Sequence, residues 1–268
     1  MLLSRRSTLT YGSAIAALAS APLPAVARTA ADARASSDST QLVQHLVIHP
    51  DACDGNAYCA TFALAAPDTA WRTGGLLTDR GLRAAMSSNG ARGYGLRRVN
   101  AFQTRDGMRY AAIWQLGAAA PSLQRHGLTR AQFRAAASRF AADGHAIAHF
   151  DATATDSGVR FAALWEKSAA PQHVVTDLTE AEYTAKRAAL AAEGFTPRQI
   201  AGYTVNGETR FAALFDKSAA ARQDFASVYA AHFATHARAM RAEGYTLIDA
   251  AGYVTRGLPH YTTVWQST

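Results

Sequence analysis

Apolar and polar positions recur along most of this chain in blocks of about fifty residues, and internal repeats dominate any reading of the fold. Four segments align without gaps being forced. They run from Gly93-Tyr94 to Arg109-Tyr110-Ala111-Ala112-Ile113-Trp114, from Gly144-His145 to Arg160-Phe161-Ala162-Ala163-Leu164-Trp165, from Gly194-Phe195 to Arg210-Phe211-Ala212-Ala213-Leu214-Phe215, and from Gly244-Tyr245 to His260-Tyr261-Thr262-Thr263-Val264-Trp265. The starting glycines lie 51, 50 and 50 residues apart, and each final aromatic lies 21 residues after its glycine. A shorter copy precedes them, with Gly55 at its turn and Tyr58-Cys59-Ala60-Thr61-Phe62 as its second strand.

Inside each block, two apolar-rich runs flank a glycine (Gly107, Gly158, Gly207 or Gly257), which is the signal of a β-hairpin. Period-two alternation in the second run places Tyr110, Ala112 and Trp114 on one face and Arg109, Ala111 and Ile113 on the other. Both faces are largely apolar, so both are expected to be covered. A helix follows. Thr129 and Thr179 are suited to N-caps, and Glu182, three residues after Thr179, completes a capping box. Phe133 and Phe140 share a helix face, as do Tyr183 with Leu190 and Phe233 with Met240. Each helix is expected to end at the glycine of the next block, where a positive φ costs least. The fold class is therefore α+β: strand–turn–strand–helix repeats stacked into an arc or a closed ring. The helix is expected to cross right-handedly from the second strand of one unit to the first strand of the next. The repeat domain spans residues 41–268, with units near 41–66, 77–118, 128–169, 178–219 and 222–268.

The first residues follow another pattern. Arg5-Arg6 precedes an uncharged, alanine-rich run from Leu9 to Ala27 that is broken by Pro22 and Pro24 and ends in Ala25-Val26-Ala27. A basic start, a short apolar core and a small-x-small ending predict an export signal over residues 1–27. The arginine pair resembles the twin-arginine signal, although Thr8 stands where that pattern favours phenylalanine; an ordinary secretory signal or an uncleaved anchor is the other reading. Residues 28–40 read as a flexible linker. The predicted location is periplasmic or secreted, and no later segment is apolar for long enough to predict a transmembrane helix.

Composition narrows the choice of partner. The chain has 268 residues and a formal net charge of +7, which falls to +5 once Arg5 and Arg6 are removed. Only Lys167, Lys186 and Lys217 are lysine; the other basic residues are arginines scattered along the repeats. Without a basic cluster, a nucleic-acid partner is not expected. Cys53 and Cys59 flank a turn-like segment, and an oxidising compartment would allow a disulfide across it; two small residues in a sheet are the other reading.

The search for catalytic chemistry yields little. No serine has lysine three residues later, and Gly-x-Ser-x-Gly, the P-loop and Cys-x-x-Cys are all missing. His232 and His236 lie four apart on a predicted helix, but the aligned pairs Gln132/Ala136 and Glu182/Lys186 place them on a solvated face. His145 and His149 are expected to share a strand face, as are His45 and His49, and about 13 Å between Cα atoms is too far for easy shared ligation. Asp151 could accept a proton near His149, but no nucleophile is tied to either. No catalytic residue, metal site or cofactor is assigned.

Arg109, Arg160 and Arg210, with His260, recur at one strand position. They read either as a surface for carboxylates, sulfates or phosphates or as local ion pairs with acids such as Asp106, Asp156, Glu166 or Asp216. The strict register of Tyr110, Phe161, Phe211 and Tyr261, and of Trp114, Trp165, Phe215 and Trp265, marks them as core. Tyr203 and Tyr253, beside glycines, are expected to be partly exposed and complete the candidate binding set.

Gly194-Phe195, Ala201-Gly202-Tyr203, Gly207, Arg210-Phe211-Ala212-Ala213-Leu214-Phe215 and the Leu-Thr helix start together resemble the bacterial tandem repeat domain of polyglycine-hydrolase-like proteins, over Leu46 to Trp265. The resemblance implies that the repeats bind or position a partner while catalysis lies elsewhere, and it transfers no catalytic residue. The reading favoured is an exported, non-enzymatic repeat protein that presents a binding surface to a peptide, glycan or envelope protein. The alternatives are a hydrolase with a hidden site, with His149, Asp151 and the recurring arginines as first suspects, and a structural module that positions a separate serine hydrolase.

Overall fold

A computed structural model describes residues 41–49, 57–64, 70–104, 106–118 and 123–268. The expected export signal, the linker and Cys53 lie outside the described residues. In order, the elements are β1 (Gln41–His49), β2 (Ala57–Leu64), β3 (Trp71–Leu77), α1 (Asp79–Gly90), β4 (Tyr94–Thr104), β5 (Gly107–Leu116), β6 (Leu123–Leu128), α2 (Arg130–Ala142), β7 (His145–Thr155), β8 (Gly158–Lys167), β9 (Gln172–Leu178), α3 (Glu180–Ala192), β10 (Thr196–Val205), β11 (Glu208–Asp216), β12 (Arg222–Tyr229), α4 (Phe233–Ala242), β13 (Tyr245–Thr255) and β14 (Leu258–Ser267).

The five expected hairpins form: β1–β2, β4–β5, β7–β8, β10–β11 and β13–β14. Local chemistry sets their limits. Thr129 and Thr179 cap α2 and α3 through full capping boxes. Gly194 stops α3 with φ +82, and Gly207 turns the next hairpin with φ +79, conformations that cost a residue with a Cβ far more.

Two expectations need correction. Each unit has a third strand, β3, β6, β9 or β12, which pairs antiparallel with the second hairpin strand to give the sheet orders β3-β5-β4, β6-β8-β7, β10-β11-β9 and β12-β14-β13. The helix therefore does not join neighbouring sheets. It joins two strands of one sheet: β9 and β10 both run antiparallel to β11, and α3 lies between them in sequence. These third strands are short edges, half-buried at most positions, and lack the clean alternation that betrays a strand. The described residues thus form a two-stranded first hairpin and four strand-rich units, each of the four with a three-stranded antiparallel sheet and a helix, and no barrel closes among them.

Packing runs between units. Phe133 and Phe140 of α2 join Phe150, Phe161 and Trp165 of their own sheet in one core, and Tyr203, Ala212 and Leu214 of the next sheet complete it. The same arrangement places Ala162 and Leu164 on the preceding core of Leu82, Tyr110 and Trp114, and Tyr253 and Val264 on that of Tyr183, Leu190 and Phe215. Both faces of β5, β8, β11 and β14 are buried, as the alternation requires. Small residues permit the close approach: a Cβ on Gly202 would stand 2.5 Å from Cδ1 of Tyr253 in the next unit. The backbones of the first hairpin strands lie side by side, β4 against β7, β7 against β10 and β10 against β13, while β1 approaches both β13 and β4.

Candidate functional site

Each first strand carries one extra residue at the same place, shown by register shifts between Leu96 and Arg98, Ile147 and His149, Pro197 and Gln199, and Leu247 and Asp249. β1 has its shift between Val43 and His45. A bulge re-aims the residue that follows it. The consequence is that Arg98, His149, Gln199 and Asp249, which occupy one position of the repeat, meet in a single network.

Arg98 Nη1 donates to His149 Nδ1 at 2.9 Å and to Asp249 Oδ1 at 3.1 Å, and its Nη2 donates to the Ile248 carbonyl at 3.0 Å. Gln199 Nε2 donates to the same His149 nitrogen at 2.7 Å and to Asp249 Oδ1 at 3.0 Å. The remaining bonds tie side chains to the backbone of the neighbouring strand. Val99 O lies 3.0 Å from His149 Nε2, Gln199 Oε1 accepts from Phe150 N at 3.1 Å, and Asp249 Oδ2 accepts from Ile200 N at 3.2 Å. Because Val99 offers a carbonyl and Arg98 and Gln199 offer donors, His149 carries its proton on Nε2 and is neutral. Burial, with the Arg98 charge second, holds its pKa well below the usual histidine value. Burial raises that of Asp249, against the pull of Arg98.

Two residues beyond His149 along β7, Asp151 lies on the wall of a cavity of about 560 Å³ formed where β4, β7, β10 and β13 end. Ala101, Ala152, Gly202 and Gly252 hold one repeat position on this wall with small side chains, and Thr153, Thr155, Thr204 and Arg256 also line the cavity. Asp151 Oδ2 accepts from Ala101 N at 2.8 Å. Burial pushes its pKa up to about 6, opposed by this bond and by the Asn100 side chain.

Of the binding residues proposed from sequence, the recurring arginines and His260 lie elsewhere. Arg109 donates to the Asp106 and Met108 carbonyls at 3.1 and 3.0 Å, with the Asp106 carboxylate 4.0 Å away. Arg160 donates to Ser157 Oγ at 2.8 Å and to the Val159 carbonyl at 3.1 Å. Arg210 pairs with Glu208, and His260 Nδ1 lies 2.9 Å from Ser227 Oγ. Arg160 and Arg210 share a second groove of about 600 Å³ with Arg130, which pairs with Asp177. None of the described residues lining the central cavity comes from this recurring set. Tyr203 and Tyr253 do line it, yet they are only 2% and 6% exposed, a correction of the expected partial exposure. Each tyrosine hydroxyl bonds within its own unit, Tyr203 accepting from Asp177 N at 3.0 Å and Tyr253 donating to Ala226 O at 3.1 Å.

The bulge also removes His149 from the strand face of His145, because the extra residue Ala148 breaks the alternation between them. His236 is half-buried against Phe225 and Trp265, at 4.4 and 5.6 Å between ring centroids, whereas its partner in sequence, His232, is exposed. Among the described residues, no group of three His, Cys, Asp or Glu side chains is placed to hold a metal ion.

This unit, with its outer strand, helix and bulged hairpin repeated around a shared polar network, defines a structural-repeat protein. The sequence matches the polyglycine hydrolase-like structural repeat over residues 69–115, 119–168, 170–218 and 229–268, and the chain belongs to that family. The first three matches each take in one outer strand, its helix and its hairpin, which is the unit seen in the fold. A comparison with curated proteins gives no match. No helix among the described residues is long and apolar enough to cross a membrane.

Proposed function

We propose that the chain is an exported, non-enzymatic repeat protein whose units close into a ring and bind a peptide, glycan or envelope protein through the cavity at the strand ends. The observation that carries this reading is the cavity itself: corresponding residues of four units line it, so its shape depends on the whole array. Closure is supported by the approach of β1 to both β13 and β4, and by Arg98 reaching Asp249 across 151 residues of sequence. Export rests on Arg5-Arg6 and the Ala25-Val26-Ala27 ending. The hydrolytic reading is weaker. His149 already accepts two donors at Nδ1, and the Thr155 and Thr204 hydroxyls donate to the Gly158 and Val254 carbonyls, so none of these three forms a base–nucleophile pair.

The test uses the mature chain, residues 28–268, against a panel of neutral and charged peptides and glycans. Binding without turnover is expected, and Thr153→Trp, which fills the cavity from a half-buried wall position, should abolish it. Hydrolysis of panel members, or binding indifferent to that substitution, would refute the proposal.

A further inference from the structure

Among the described residues, the shielded carboxylates have partners of one kind, with a single exception. Asp249 is paired with Arg98. The Asp224 side chain, 3% exposed, is paired with Arg187 and also accepts from the Tyr183 hydroxyl. Asp216 is paired with Arg222, with Arg198 at 3.7 Å. Asp151 is as deeply placed, at 7% exposure, yet its partners are uncharged: the Ala101 and Ala152 amides and the Asn100 side chain. No arginine, lysine or histidine among the described residues stands within ion-pair distance of it. A buried carboxylate without a cation is costly, and proteins normally supply the opposite charge.

Asp151 is also the one of these four that lines the central cavity. Thr153, two residues on along β7, shares its strand face and adds a hydroxyl to the same wall. Arg256, the one cation among the described residues of the lining, belongs to the exposed turn after β13. The deep part of the cavity therefore offers an acceptor with uncompensated charge and room beside it.

We infer that the central cavity takes a ligand bearing a primary ammonium group, which supplies the missing counter-ion of Asp151. An ammonium has three donors and a compact charge, so the carboxylate can take one donor while the Thr153 hydroxyl accepts another. The inference rests on the reading of the cavity as the binding site and specifies its ligand. The ammonium can come from an amino sugar or from a peptide amino terminus.

The experiment is isothermal titration of the mature chain with two pairs of probes, glucosamine with N-acetylglucosamine and trialanine amide with its N-acetyl form. At about pH 7 the peptide amine is mostly protonated and Asp151 mostly ionised. At least one amine should bind, and its acetylated twin should bind at least about tenfold more weakly, since acetylation leaves the buried charge unpaired. Asp151→Asn should weaken the amine by a similar factor while the melting curve confirms folding. Should that variant fail to fold, Thr153→Trp and the acetylation pair give the same readout. Lowering the pH through about 6 should weaken binding as Asp151 takes up its proton. The groups facing it from the other strands are Asn100 on β4 and, farther off, Asp249 on β13; His149 beside it on β7 stays neutral across this range. The probe that binds identifies the source of the ammonium. Failure of both amines, equal binding of acetylated and free forms, or indifference to Asp151→Asn would each overturn the inference. Neutral panel members that still bind and are blocked by Thr153→Trp would leave the broader reading intact.

Discussion

One repeat position decides much of this molecule. At the fifth residue after each starting glycine, the units carry Arg98, His149, Gln199 and Asp249, a cation, a neutral ring, an amide and a carboxylate. Four arginines would offer only donors and four carboxylates only acceptors, whereas this set supplies both. Arg98→Met removes a buried cation that pairs with Asp249 and bonds His149 and the Ile248 carbonyl, and should cost about 3–5 kcal/mol in chemical denaturation. Gly202→Ala pushes a methyl against the Tyr253 ring and should cost about 1–3 kcal/mol, while Gly90→Ala, with open space around the new Cβ, should cost nothing. Asp151 gives a pH signature. Its pKa in the folded protein is raised to about 6, so the protonated form is favoured by folding, and stability attributable to it is lost as pH rises from about 4 to about 6. His149 works the other way, because its lowered pKa costs stability as pH falls below about 6.5. Asp151→Asn should therefore gain on the parent protein between pH 4 and 6, by at most about 3 kcal/mol, as read from paired denaturation curves.

At the scale of elements, much was legible from the sequence. The hairpins were visible because both faces of each second strand are apolar around a turn glycine. The helix starts were visible because Thr129 and Thr179 carry their partners three residues on. Thr179→Ala should cost about 1 kcal/mol of stability by loss of the cap. Trp165→Ala should cost about 3–5 kcal/mol, because the ring is fully buried between α2 and the next sheet. The outer strands were not legible. Leu123–Leu128 and Gln172–Leu178 are short and half-buried, and the latter is interrupted by Asp177 at φ +65. The polar network was hidden for a different reason. Alignment reveals sameness, and its members differ in every unit; the available signal was a column that stays polar in otherwise apolar strands. His149 stands out in the sequence without its partners, because the bulge that brings Arg98, Gln199 and Asp249 into its network adds one residue invisibly. The recurring arginines, by contrast, were conspicuous in sequence and lie by their own turns.

For the whole molecule, repetition explains why stability and site are inseparable. Each core is completed by the next unit, so the last one, built on Phe233, Met240, Tyr261 and Trp265, needs a neighbour as well. The approach of β1 to β13 places the first hairpin beside that unit, and the proposed ring makes it the neighbour. Deleting residues 41–64 should lower the melting temperature of the remainder and expose apolar surface to a hydrophobic dye; an unchanged melting curve would argue for an open array. The basic surplus has an account at this scale too, since arginines recur with the unit and many pair locally. The central claim is that the strand-end cavity is the site of binding. The most direct measurement is a residue-resolved NMR titration of the mature chain with its best panel ligand. The account predicts shifts concentrated at Asn100, Asp151, Thr153 and Thr204, around the cavity wall. Shifts concentrated instead at Arg160 and Arg210 in the outer groove would contradict it.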